Sequence, residues 1–174
     1  MTMTTKPVQP VMTVAAKVTM WINHLNFIPG DSSITTSFDA VSSGVGTGLS
    51  GLIIKSSTIG DIATGGGNKV VETALEVPPG YRVNGVRICY ELSSNATFIE
   101  QVRLAQVQNP PGNALVLLDD ATHLTTKGPI CVNSQSPATP IDPTTGSILL
   151  SFRINCGNTA DRIVVRGVGL LLVV

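Results

Sequence analysis

The last twenty-eight residues, Ser147 to Val174, constrain this chain more than any other stretch, because their face pattern changes partway along. In Ile148, Leu150, Phe152, Ile154 and Cys156 every second side chain is apolar, and Ser151, Arg153 and Asn155 between them are polar. That is the period of a strand with one face in a core and one in water. After Gly157-Asn158 the alternation fades. Ile163, Val164 and Val165 run together, and the chain ends Gly169-Leu170-Leu171-Leu172-Val173-Val174 with no polar face. A strand apolar on both faces must be covered on both. In a small antiparallel sandwich the simplest second cover is another copy of the same chain, so Leu170, Leu171, Leu172, Val173 and Val174 are interface candidates.

Upstream, residues 69–174 read as a ladder of short strands. Lys69 to Val77 places Val71, Thr73, Leu75 and Val77 on one face and Glu72 and Glu76 on the other. Pro78-Pro79-Gly80 then turns the chain, since proline presets the turn angle and glycine accepts positive φ. Tyr81 to Leu92, Phe98 to Val107, Ala114 to Leu118 and Ile130 to Asn133 follow, with Asn109-Pro110-Pro111-Gly112 among the breaks. Residues 1–68 add weaker strands at Val11 to Ile22, Ser33 to Val41 and Gly51 to Ser57. They carry just six charges and no Glu or Arg, and Gly65-Gly66-Gly67-Asn68 marks the seam. The reading is one all-β fold of about ten strands, an antiparallel, jelly-roll-like β-sandwich. Residues 1–68 form an extended N-terminal arm and early strands, and 69–174 the main strand ladder. Val14, Val18 and Trp21 in the arm join the interface candidates, as packing residues rather than a ligand cage.

Charge and cysteine content narrow the function classes. Eleven basic and eleven acidic residues give a formal net charge of zero. This removes long-range attraction to nucleic acid or anionic membrane, so no direct nucleic-acid binding is expected. The apolar tail is far shorter than the roughly 20 residues a bilayer span needs, so membrane insertion is not expected either. The first thirty residues have no signal-peptide pattern, which implies synthesis in the cytosol. Cys89, Cys131 and Cys156 are an odd set without Cys-x-x-Cys spacing, which indicates neither a full disulfide framework nor a zinc site. Cys89 and Cys156 fit as small buried hydrophobes, and one disulfide stays open.

The chemistry-bearing patterns are weak. Gly44-x-Gly46-x-Gly48-x-x-Gly51 has no lysine of the phosphate-loop kind and opens no helix. Asp119-Asp120 with His123 resembles a divalent-metal cluster, but neighbours in a strand point to opposite faces. His24 and His123 have no Gly-x-Ser-x-Gly elbow to serve. No catalytic residue, metal or cofactor is therefore expected.

The strands joined by Pro-Pro-Gly and Asn-Pro-Pro-Gly turns resemble single jelly-roll shell proteins and trimeric sandwiches of the tumour-necrosis-factor and complement type. That likeness implies architecture alone. Unlike shell proteins that package RNA, the first thirty residues hold only Lys6 and Lys17 as basic groups. The sequence thus reads first as a self-assembling structural subunit of a shell, filament, appendage or closed oligomer, its partner being itself. The alternative is a binding module whose loops, such as Ser93 to Thr97 and Gln108 to Asn113, recognise a carbohydrate or protein.

Overall fold

The computed structural model describes residues 17–38, 51–108, 112–141 and 144–174, with backbone alone at 136–140. Eleven strands are found there: β1 (Lys17–Ile22), β2 (Ile28–Pro29), β3 (Ile34–Phe38), β4 (Leu52–Ser56), β5 (Val70–Leu75), β6 (Arg82–Leu92), β7 (Phe98–Val107), β8 (Ala114–Asp120), β9 (Ile130–Pro140), β10 (Ile148–Asn155) and β11 (Ile163–Val173). One 3-10 turn, His24–Asn26, is capped by Asn23, whose side chain accepts the Leu25 N–H at 3.1 Å. One sheet runs β3-β4-β11-β6-β9, with β1 also paired to β11; the second runs β2-β5-β10-β7-β8. Every pairing is antiparallel. The protein is an all-β sandwich of jelly-roll type.

The core forms where the alternation predicts. Ile148, Leu150, Phe152 and Ile154 on β10 are buried, and Phe152 stacks on Phe27 at 4.7 Å between centroids. Facing them from the first sheet are Val86, Ile88, Tyr90, Ile163, Val165, Val168, Leu170 and Leu172. Strand β9 extends well past Asn133, because its pairing with β6 continues through Ser134, Gln135, Thr139 and Pro140. Its polar and proline-bearing second half hides that strand from a reading of hydrophobicity.

Strand β11 explains the fading alternation. The register against β6 skips one residue between Val165 and Gly167, a bulge that puts two β11 residues opposite one and flips the face of everything after it. Ile163 and Val165 face the core before the bulge; Val168, Leu170 and Leu172 face it after. Before the bulge Val164 is buried as well, on the face away from the core; past it the strand sends Val168, Leu170 and Leu172 into the chain's own core. Leu170 is 0 % and Leu172 2 % exposed. Leu171 and Val173 are half-buried on the outer side, and Val174 is exposed at the end.

Cys89 and Cys131, partners across β6 and β9, form a disulfide, while Cys156 is free and buried. Burial pushes the Cys156 thiol up from its ordinary value. Cys89 is thus a bridge partner rather than a lone buried hydrophobe.

Candidate functional site

The outer face of the first sheet brings together residues from four strands. Registers align Trp21 on β1 with Gly169 on β11, Gly169 with Arg87 on β6, and Arg87 with Asn133 on β9. One row thus crosses the sheet over three strand spacings, about 14 Å. The next row is Thr19, Leu171, Gly85 and Gln135. Lys17, Val18, Thr19, Trp21, Asn84, Arg87, Asn133, Gln135, Leu171, Leu172 and Val173 line a groove of ≈ 460 Å³ here.

Trp21 lies down on this face because β11 carries glycines beneath it. A Cβ on Gly167 would stand 3.4 Å from Trp21 Cζ3; one on Gly169 would stand 3.3 Å from Trp21 Cε3 and 2.7 Å from Thr19 Cγ2. The ring thus rests on bare backbone, yet the residue remains 59 % exposed. Leaving an indole in water forgoes on the order of 2 kcal/mol of burial, so such a ring reads as a docking platform. Beside it Arg87 Nη1 donates to Asn133 Oδ1 at 3.1 Å, which orients both planar groups along the groove. Asn84, Asn133 and Gln135 add amides that both donate and accept. Among the described residues the lining has no carboxylate, histidine or cysteine. An apolar plate beside planar hydrogen-bonding groups suits a ligand with one C–H face and a rim of hydroxyls.

Two other hollows lack this combination. One of ≈ 280 Å³ on the second sheet is lined in part by Glu72, Gln101, Arg103, Ser151 and Arg153. Its charges are consumed locally: Arg103 pairs with Asp119 at 3.0 Å, Arg153 with Asp61 and, at 3.0 Å, with Glu100, and Ser151 donates to Glu72. Another, of ≈ 600 Å³, lies beside Leu75–Pro78 and Gly146–Ile148 and has no aromatic lining among the described residues.

Of the sequence candidates, Trp21, Val18, Leu171, Leu172 and Val173 all border the groove on the first sheet, although Leu172 is buried in the core as Leu170 is; Val174 lies at the strand end, and Val14 outside the described residues. Asn84, Arg87, Asn133 and Gln135 were missed, although their alternation with buried neighbours marks them as facing outward. The loop Ser93 to Thr97 is tied down rather than offered to a ligand: Ser93 Oγ and Thr97 Oγ1 donate to Asp161 at 3.1 and 2.7 Å. In the loop from Gln108 to Asn113, residues 109–111 lie outside the described residues. Asp119 turns to Arg103 and Gln101, whereas Asp120 accepts from Ser134 and from the Thr122 N–H. They diverge as strand neighbours must, and among the described residues no three metal-ligating groups cluster. The Arg103 hydrogen bond holds the Asp119 carboxyl below the usual range.

No family model matches the sequence, and no curated protein matches it significantly. Similar solved structures do exist. A xylan-binding domain of carbohydrate-binding family 22 from Paenibacillus barcinonensis aligns with TM-score 0.54 and 12 % identity, over 85 % of this chain and 86 % of that one. Paired family 22 binding and family 10 xylanase modules from Clostridium thermocellum, complexed with xylohexaose, align with TM-score 0.57 and 9 % identity, over 88 % of this chain. This chain spans 28 % of that longer one. At such identity the likeness is one of fold. Together with the bulge in β11 it corrects the self-assembly reading. Past the bulge the tail sends Val168, Leu170 and Leu172 into the chain's own core, and the matched domains are carbohydrate-binding modules, not shell, capsid or filament subunits.

Proposed function

We propose that this protein is a non-catalytic binding domain that holds a polysaccharide or oligosaccharide chain on the outer face of its first sheet. The observation that carries this reading is Trp21, bedded on Gly167 and Gly169, exposed, and in register with Arg87 and Asn133. Sugar rings present C–H faces that pack on an indole, and their hydroxyls accept from guanidinium and exchange hydrogen bonds with amides. Two solved structures of the same fold support the ligand class through their names, one a xylan-binding domain and the other complexed with xylohexaose. Glycoside cleavage needs a pair of carboxyl groups across the scissile bond, and the described residues that line the groove include none. The Cys89–Cys131 bridge, at the groove's side of the sheet, supports a working place in an oxidising compartment.

Titration calorimetry against xylan, mixed-linkage glucan and cellulose-derived oligomers tests the reading. Saturable binding to at least one is expected, and Trp21→Ala is expected to weaken it at least tenfold while the circular dichroism spectrum stays unchanged. Failure to bind any of them, or an unaltered affinity in Trp21→Ala, would overturn it.

A further inference from the structure

We infer that the groove selects an acidic sugar chain, one bearing uronate carboxylates; this rests on the carbohydrate-binding reading of the same site. The argument is one of charge placement. The whole chain is formally neutral, with eleven basic and eleven acidic residues. Yet the charged residues lining the groove, Lys17 and Arg87, are both cations. The acid nearest along β6 on this face, Glu91, is taken by Arg166 at 2.6 Å. Three of the six arginines pair with carboxylates: Arg103 with Asp119, Arg153 with Asp61 and Glu100, and Arg166 with Glu91. Arg87 instead has the neutral amide of Asn133 as its hydrogen-bond partner among the described residues.

That single bond has a geometric effect. It uses one of five N–H donors and fixes the plane of the fork, leaving a preoriented edge that fits a carboxylate through two parallel bonds. Lys17 supplies a second, less directional positive charge at the far end of β1, four residues from Trp21. A ring stacked on the indole and carrying a carboxylate towards Arg87 would engage platform and fork together. A neutral chain would satisfy the platform and the amides alone.

The test compares two probes that differ only at C6: cellohexaose and its C6-oxidised counterpart, in which glucose units have become glucuronate. For the wild-type protein in about 20 mM salt, the oxidised hexamer is expected to bind roughly three- to tenfold tighter, the scale of a charge-assisted surface contact. That ratio should shrink towards one in about 0.5 M salt, where screening is strong. In Arg87→Gln the ratio should be close to one even at low salt, and Arg87→Lys, which keeps the charge but loses the fork, should restore part of it. Equal affinities for the two hexamers in the wild type, or a preference that survives both salt and Arg87→Gln, would overturn the inference and leave the carbohydrate site standing. Absence of binding to both hexamers would overturn this inference, and the reading beneath it would fall with it only if xylan and mixed-linkage glucan also failed to bind.

Discussion

Lys69 is fully buried, and its ammonium donates to the carbonyls of Thr58, Ile59 and Gly60 at 2.6, 3.0 and 2.9 Å. Three carbonyls converging on one cation pin the chain between β4 and β5. Lys69→Met keeps the length but leaves those carbonyls facing an apolar group, so it should cost about 2–4 kcal/mol, read as a lower urea midpoint at unchanged slope. A cost below about 0.5 kcal/mol would contradict the pinning role. Nothing in the sequence marks this lysine, which sits at the start of a strand among exposed polar residues. His24 carries a second residue-scale prediction. Its Nε2 is buried without a partner, and burial lowers its pKa from 6.5. Below that value the unfolded chain takes up a proton that the folded chain refuses, so this contribution to stability is complete above pH 6.5 and lost on acidification. The urea midpoint should therefore fall between about pH 7.5 and about pH 5, and His24→Gln should flatten that fall. An equal fall in wild type and variant would contradict it.

Among the elements, β10 and β11 show what an amphipathic pattern conveys and what it hides. Strand β10 keeps one phase from Ile148 to Ile154, and every inward residue is legible from period two. Strand β11 changes phase at its bulge, and a sequence pattern read without the bulge becomes a strand apolar on both faces. Turns marked by proline and glycine were legible for the same reason as β10: each of those residues fixes local backbone geometry by itself. Pairing partners were not, because β11 finds β1, β4 and β6 from distant parts of the chain. The glycines of β11 matter in their own right, as the bed for Trp21. Gly169→Val would push against Thr19 Cγ2, 2.7 Å from the added Cβ, and against the indole edge at 3.3 Å. The ring should tilt off the sheet and affinity for the sugar chain fall about tenfold or more, a change of about 1.4 kcal/mol. Calorimetry on a variant that retains the β-sheet dichroism checks this, and unchanged affinity would contradict the bedded platform.

At the scale of the molecule, the two outer faces of the sandwich are chemically unlike. That of the second sheet carries Arg103, Arg153, Glu72 and their partners in closed pairs. The groove on the first sheet's face holds an exposed indole, three amides and two cations, with no carboxylate among the described residues that line it. Trp21 and the outward side of the tail strand stood out in the sequence as apolar groups needing a partner. The polar half of the groove did not, because Asn84, Arg87, Asn133 and Gln135 are ordinary outward residues until the register places them in adjacent rows. The central claim is that a sugar chain stacks on Trp21. Since this is the protein's single tryptophan, its intrinsic fluorescence reports on that ring alone. Titration with whichever oligosaccharide binds by calorimetry should give a saturable emission change, shifted to the blue as the indole leaves water, with the same dissociation constant as the heat signal. Binding heat with no change in tryptophan emission would contradict the account.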